Sequence, residues 1–228
     1  MPADAVRSGS ESVQATLAWY TSEALRDSPR QQTSRSGQAL DELPVNTIEA
    51  NRRMGHFEDR DRVWLFGYGS LIFKADFPYI AARPATIRGW VRRFWQGSHD
   101  HRGTPGAPGR VVTLIQQEGA TCHGMAYLVT PEEFAHLDHR EKNGYLRFAT
   151  EMTFDDGTTA EGLVYIATDD NEAYLGDAPE AEMARQIANA AGPSGPNRDY
   201  LLMLAEALRN LGAQDAHVFG LERHLFDK

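Results

Sequence analysis

The sequence predicts an α+β fold in which a mixed β-sheet curls into a small barrel with helices beside it. Two observations predict this fold. Segments rich in β-branched and aromatic residues fill the chain from 63 to 167, and segments with helically spaced leucines fill the last third. Strands that come first and helices that come later are typical of α+β domains.

Six segments have the composition of strands and are bounded by turn residues. They lie at 63–67, 86–96, 110–117, 122–129, 147–154 and 160–167. Between the last two, Asp155, Asp156 and Gly157 predict a hairpin, because an Asp-Gly pair supplies the left-handed turn conformations that a short hairpin needs.

One helix is predicted between these strands. Thr130–Glu133 combines a Thr N-cap, Pro at the first helical position and Glu three residues after the cap. Phe134 and Leu137 are expected to form the buried face of this helix, and Asn143–Gly144 is expected to end it.

Three further helices are predicted in the C-terminal third. Asp177–Glu180 opens the first, and Gly192–Pro196 forces a break before a second helix that starts near Asn197. The apolar stripe of the second helix is Leu201, Leu204, Leu208 and Leu211, and that of the last, short helix is Val218, Leu221 and Leu225.

Residues 1–60 have a different composition, rich in Ser, Gln, Arg, Asp and Glu. We predict a largely flexible N-terminal extension that can form a helix at 11–26, where Val13, Leu17, Tyr20 and Ala24 give a narrow apolar stripe. The extension can be an unstructured arm or a docking or regulatory arm. The composition changes at Arg62 and Val63, so 61–228 is the predicted catalytic domain.

Charge and cysteine content exclude several classes of protein. A net charge of −9 and a pI near 5.4 argue against a general nucleic-acid binder, which needs a basic face. The single cysteine, Cys122, excludes an internal disulfide framework and suits a reducing compartment, so we expect a cytoplasmic protein. No apolar run approaches the roughly 20 residues that a membrane-spanning helix needs.

The first predicted strand runs into a loop flanked by glycines: Gly67, Tyr68, Gly69, Ser70, Leu71 and Ile72. Glycine tolerates positive φ and has no Cβ, so successive backbone N–H groups can point into one concavity and bind a carboxylate or an oxyanion. A dinucleotide site is disfavoured because it needs a third glycine and a ribose-binding acid. A simple tight turn is the alternative interpretation.

Glu141 is the candidate proton-transfer residue, because it lies where the capped helix is predicted to end. The partial negative charge of a helix C-terminus disfavours the ionised carboxylate, so its pKa is expected to rise toward neutrality. A solvated acid paired with Arg140 or Lys142 is the alternative.

Tyr200 is the second candidate catalytic residue. It lies in the first turn of its helix, where the phenol could hydrogen-bond a bound carboxylate or the general base; the alternative is a core aromatic residue. A guanidinium could also clamp a substrate carboxylate in bidentate fashion. The candidates are Arg92, Arg93, Arg102 and Arg110.

Two other chemistries are disfavoured by the sequence. His99 and His101 would share one face of an extended chain, but no third ligand at helical spacing supports a metal site. Cys122 and His123 project to opposite faces of a predicted strand and cannot readily pair as nucleophile and base, so Cys122 is interpreted as a small buried residue.

Residues 63 to about 211 resemble the ChaC-type, glutathione-specific γ-glutamylcyclotransferases. The resemblance covers about two-thirds of the chain and depends on long, ordered motifs. They are FGYGSLIFKADFPY at 66–79, RRFWQGSHDHRGTPGAPGRVVTL at 92–114, LDHREKNGY at 137–145, YLG at 174–176 and NAAGPSGPNRDYL at 189–201. The resemblance implies a six-stranded, γ-glutamylcyclotransferase-like barrel with flanking helices, no metal and no organic cofactor.

The resemblance also implies a function and residue roles. The small-molecule substrate is glutathione, whose γ-glutamyl group cyclises to release 5-oxoproline and Cys-Gly. The Gly67–Ile72 loop would hold the γ-glutamyl group, Glu141 would accept the proton and Tyr200 would assist. The alternatives are a cyclotransferase for other γ-glutamyl amino acids or amines, and a non-catalytic module that binds a γ-glutamyl ligand.

Overall fold

The computed structural model describes residues 46–56 and 60–227, so the helix predicted at 11–26 lies outside the described residues. The helices are α1 (Ile48–Arg53), α2 (Glu133–Arg140), α3 (Glu180–Asn189), α4 (Asn197–Asn210) and α5 (Ala216–Phe226). The strands are β1 (Val63–Gly67), β2 (Ala81–Ser98), β3 (Gly109–Val129), β4 (Tyr145–Phe154), β5 (Thr159–Ala167), β6 (Ala191–Gly192) and β7 (Gly195–Pro196), and a 3-10 turn spans Ser70–Ile72.

Five strands close the predicted barrel in the order β1-β3-β2-β4-β5, and the parallel pairing of β1 with β5 completes it. The other pairings in the barrel are antiparallel. The α+β barrel with flanking helices is therefore confirmed. The β4–β5 hairpin is also confirmed, with Gly157 at φ 81° in its turn.

The implied count of six strands is wrong, because the segments predicted at 110–117 and 122–129 are two halves of the single strand β3. Both halves pair with β2, which is 18 residues long. Between them the register shifts, and Gly89 and Gly119 take positive φ values of 80° and 74°. A bulge of this kind bends a strand without ending it.

Helix α2 begins later than predicted. The N–H of Glu133 donates to the carbonyl of Thr130 at 3.2 Å, so the first turn is tighter than an α-helix. The N-cap is Glu132, and the Thr130 side chain hydrogen-bonds the Glu132 carboxylate, which lowers the pKa of that acid. The predicted buried face is confirmed, since Phe134 and Leu137 are 1% and 0% exposed.

The C-terminal helices are confirmed. Leu201, Leu204 and Leu208 of α4 are completely buried. The predicted break at 192–196 is a small antiparallel hairpin formed by β6 and β7. None of the helices in the described ranges is long and apolar enough to cross a bilayer.

A buried arginine connects the helical layer to the barrel end. The Arg92 side chain is 1% exposed, and its guanidinium donates to the carbonyls of Tyr68 and His123 at 2.6 and 2.5 Å. It also pairs with Asp215 at 2.7 Å, and Asp215 caps α5 by accepting from the N–H of Val218. Because buried charges need paired, hydrogen-bonded surroundings, Arg92 fixes the loop that follows β1.

Candidate active site

The loop after β1 is shaped by close contacts. Gly67 and Gly69 are not among the described glycines with positive φ, so neither uses the left-handed backbone that glycine tolerates. Glycine is needed at these two positions because a Cβ would clash with neighbouring atoms. A Cβ on Gly67 would lie 2.5 Å from that of Leu71, and one on Gly69 would lie 2.8 Å from Val112 and 3.0 Å from the Tyr200 hydroxyl. Only glycine therefore allows these approaches.

Glu141 is the first residue after α2, and its N–H donates to the carbonyl of Leu137 at 2.8 Å. Its side chain is 17% exposed, and its carboxylate lies 3.3 Å from the Arg140 guanidinium. Burial raises the pKa of Glu141; Arg140 opposes this rise and the negative charge of Asp100 adds to it. The expected direction of the shift is found, but its main cause is desolvation.

The turn that carries Glu141 is held by a glycine and two amides. Gly144 has φ 89°, and a Cβ there would lie 2.7 Å from the Asn171 side-chain oxygen. The Gln96 amide donates to the carbonyl of Asn143 at 3.1 Å and to the side chain of Asn171 at 3.2 Å. Since Gln96 is completely buried, these bonds fix the turn against β2.

Tyr200 combines the two interpretations made of it. Its ring packs edge-on against Phe73 and Phe94 at centroid distances of 5.9 and 5.8 Å, as a core aromatic residue does. Its hydroxyl lies beside Gly69, 3.0 Å from where a Cβ on that residue would be. Burial raises the pKa of Tyr200, so the phenol stays neutral and can act as a hydrogen-bond donor.

These residues surround two adjoining recesses. The inner one is narrow and is lined by Gly67–Leu71 of the loop Gly67–Ile72, here called the glycine loop. The outer one is a cavity of about 330 Å³, within the usual range for small-ligand sites. Four residues line both: Ser70, Glu141, Tyr145 and Tyr200. The structure thus brings Glu141, Tyr200 and most of the predicted loop together, whereas Ile72 lines neither recess.

Two residues of this site had no role assigned from the sequence. Tyr145 lines both recesses and donates its hydroxyl to the carbonyl of Val112 at 2.8 Å. Arg140 donates to the Ser70 hydroxyl at 3.0 Å and pairs with Asp76, which ties α2 to the glycine loop. Their presence beside Glu141 in the motif at 137–145 was the available signal.

The four candidate arginines separate by position. Arg92 and Arg110 are buried and donate to backbone carbonyls. Arg93 bonds the carbonyl of its neighbour Arg92. Arg102 lines the outer cavity, with its guanidinium 5.8 Å from the centre of the Tyr200 ring. Arg102 is therefore the candidate that a ligand in the cavity could reach.

The other two candidate chemistries find little support. Among the described residues, no group of three or more His, Cys, Asp and Glu side chains is placed to hold a metal ion. The two ring nitrogens of His101 lie 3.1 Å from the Ser194 hydroxyl and 3.6 Å from the Asp100 carboxylate. Cys122 is 3% exposed, and burial raises the pKa of its thiol, which disfavours the reactive thiolate.

Comparison with known proteins finds similar chains that are named as γ-glutamylcyclotransferases. "Gamma-glutamylcyclotransferase 2-3" of Arabidopsis thaliana is 47% identical over 181 residues, which cover 73% of this chain and 91% of the relative. "Glutathione-specific gamma-glutamylcyclotransferase 1" of Danio rerio is 44% identical over 176 residues, covering 73% of this chain and 90% of the relative.

The fold and a family model agree with these relatives. The crystal structure of the yeast γ-glutamylcyclotransferase specific to glutathione superposes with a TM-score of 0.68 at 32% identity, covering 73% of this chain and 96% of the yeast chain. The model of the family described as "ChaC-like protein" matches residues 63–227. The resemblance seen in the sequence motifs is thereby confirmed, and the chain belongs to the ChaC-like family.

Proposed function

We propose that the protein degrades glutathione by cyclising its γ-glutamyl group, which releases 5-oxoproline and Cys-Gly. The observation that carries this proposal is the largely buried Glu141 side chain, which shares a recess with the glycine loop and the Tyr200 hydroxyl. The names of the relatives support glutathione as the substrate.

The reaction requires no nucleophile from the protein. The α-amine of the γ-glutamyl group attacks the side-chain carbonyl of the same group, a five-membered ring closes, and the bond to the cysteine nitrogen breaks. Effective molarities of well-oriented intramolecular reactions reach about 10⁵ M or more, equivalent to about 7 kcal/mol of the barrier. A recess that folds the γ-glutamyl group into its attack conformation therefore contributes much of the catalysis.

Proton transfer is the remaining task, and it falls to Glu141. The attacking amine must lose a proton from its ammonium form, and the departing cysteine nitrogen must gain one. The ionised Glu141 carboxylate takes one proton from the ammonium, and its protonated form delivers that proton to the leaving nitrogen. The second proton, lost as the ring nitrogen becomes a lactam N–H, passes to the released amine or to solvent. A carboxyl group whose pKa is raised by burial is suited to both directions of transfer.

The glycine loop and the tyrosines supply polar contacts around the reacting carbonyl. Backbone N–H groups of the loop would stabilise the oxyanion of the tetrahedral intermediate. The N–H groups of Ser70 and Leu71 open the 3-10 turn and have no acceptor within it. The neutral Tyr200 hydroxyl, next to Gly69, would supply a further hydrogen-bond donor to the oxyanion.

The outer cavity would take the Cys-Gly part of the substrate. It is lined by the cationic side chains of Lys74, Arg102 and Lys142, which suit the terminal carboxylate of glycine. Arg102 is the best placed of the four arginines, because its guanidinium lies over the ring of Tyr200. A cytoplasmic location is part of the proposal, supported by the single, buried Cys122 and by a substrate that is abundant in reducing compartments.

The product mixture tests the proposed reaction. Incubation of the purified protein with glutathione is expected to give equal amounts of 5-oxoproline and Cys-Gly by mass spectrometry. The γ-glutamyl amino acids and γ-glutamylamines serve as comparison substrates and should react more slowly. Free glutamate in place of 5-oxoproline would mean hydrolysis, and binding without turnover would mean a non-catalytic module.

Replacing the proposed proton acceptor tests its role. Glu141→Gln keeps the shape of the side chain but cannot accept a proton, so kcat should fall by a factor on the order of 10² to 10⁴. Glu118→Gln, at an exposed position in β3, is the matched control and should keep full activity. Near wild-type turnover of Glu141→Gln would remove Glu141 from the mechanism.

The pH dependence tests the electrostatics of the acid. Because Glu141 must be ionised to accept a proton, kcat/KM should fall as pH falls through its raised pKa, above the ordinary value of 4.5. The Asp100 carboxylate contributes to that rise, so Asp100→Asn should move the acidic limb to lower pH, while the exposed Asp169→Asn leaves it unchanged. A limb that moves to higher pH in Asp100→Asn would contradict this electrostatic account.

A further inference from the structure

Helix α1 precedes the part of the chain that the family model matches, which starts at residue 63, and no helix was predicted at 48–53. It contacts the segment from Glu141 to Arg147 through two polar residues that face away from solvent. Thr47 is 5% exposed and Asn51 is completely buried. Buried polar side chains are nearly always hydrogen-bonded, so their partners indicate which part of the chain α1 stabilises.

Thr47 hydrogen-bonds the turn that carries Glu141 with both of its donors, the backbone N–H and the hydroxyl. Its N–H and its hydroxyl donate to the carbonyl of Lys142, at 2.9 and 3.0 Å. A threonine at a helix N-cap ordinarily accepts a hydrogen bond from the first turn of its own helix, but Thr47 makes no such bond. Instead, the side-chain oxygen of Asn46 accepts a hydrogen bond from the N–H of Ile48 at 3.1 Å. The Thr47 hydroxyl is therefore free to bind the residue next to Glu141.

Asn51 bonds the first residues of β4 with both ends of its amide. Its nitrogen donates to the carbonyl of Tyr145 at 3.0 Å, and its oxygen accepts from the N–H of Arg147 at 2.9 Å. In the described residues β4 pairs with β2 only near 153 and 154, so the amide occupies the place of a neighbouring strand at the start of β4. Asparagine is a weak helix former, so Asn51 contributes less to the stability of α1 than to the hydrogen bonding of β4.

A buried arginine links the same contacts to α2. The guanidinium of Arg147 contacts the carbonyl of Asn51 and lies 3.4 Å from the carboxylate of Asp138, in the last turn of α2. Asp138 also accepts a hydrogen bond from the Tyr165 hydroxyl at 2.6 Å. Helix α1 thus holds the chain on both sides of Glu141, at the end of α2 and at the start of β4.

We infer that Thr47 and Asn51 are positioning residues for Glu141, which keep its carboxyl group in the recess beside the glycine loop. Neither side chain lines the inner or the outer recess, so neither is expected to touch the substrate. The inference depends on the proposed function for its effect on turnover, but the contacts themselves can be tested without any substrate. It gives part of the segment before residue 63 a role in the chemistry.

The kinetic test uses the full chain and near-isosteric variants. Thr47→Val removes the hydroxyl donor, and Asn51→Leu removes both amide bonds. With folding verified by circular dichroism, we expect kcat to fall about tenfold or more, because small displacements of a catalytic group are costly, while KM stays within about twofold. The acidic limb of kcat/KM should also move to lower pH as Glu141 becomes less buried.

Matched controls separate positioning from general stability. Thr47→Ser retains the hydroxyl and should restore kcat, and Glu49→Gln changes an exposed residue of the same helix and should have no effect. A loss of folded protein alone would lower the amount of active enzyme without moving the acidic limb. If Thr47→Val and Asn51→Leu are folded and keep both kcat and the limb, the inference is wrong.

Amide hydrogen exchange tests the contacts even if glutathione is not turned over. In Asn51→Leu the N–H of Arg147 loses its acceptor, so exchange at Arg147 and at the turn after Glu141 should accelerate at least tenfold relative to Glu49→Gln. Unchanged exchange there would overturn the inference. If the wild-type chain forms no 5-oxoproline, the proposed function fails and the exchange result still decides whether α1 holds this turn.

Discussion

The burial of one carboxyl group at the end of a helix is the constraint on which the site depends. In the proposed mechanism, Glu141 needs enough desolvation to raise its pKa and enough contact with the recess to exchange a proton with the substrate. The Arg140 guanidinium at 3.3 Å limits the rise, and Asp100 increases it. In the proposed mechanism, this balance would keep a carboxylate available as a base while its conjugate acid remains strong enough to protonate a leaving nitrogen.

The barrel supplies fixed positions around that carboxyl group. Glycine at 69 allows the loop after β1 to approach Val112 and Tyr200, and Arg92 holds the same loop through the carbonyl of Tyr68. On the other side, Gln96 and the left-handed Gly144 fix the turn after Glu141. Because the substrate supplies its own nucleophile, such rigid placement does the work that activated nucleophiles do in other enzymes.

Much of this could be predicted from the sequence, because local patterns carry it. The β-branched and aromatic segments predicted the barrel, and the helix signals before Phe134 placed Glu141 at a helix end. The strand count was wrong, since only the pairing of both halves of β3 with β2 shows that they are continuous. Asn51 and Thr47 could not be found, because their partners lie 94 and 95 residues away and the surrounding composition is polar. The glycine loop was located correctly, but the close contacts that require glycine are formed by distant residues.

Direct titration of the Glu141 carboxyl group tests the central claim. Infrared difference spectra of the ligand-free protein, recorded across acidic to neutral pH, would follow the protonated carboxyl band, and Glu141→Gln would identify the band by its loss. The account predicts a midpoint above the ordinary glutamate value of 4.5, because burial disfavours the charged form. A midpoint at or below that value would contradict it.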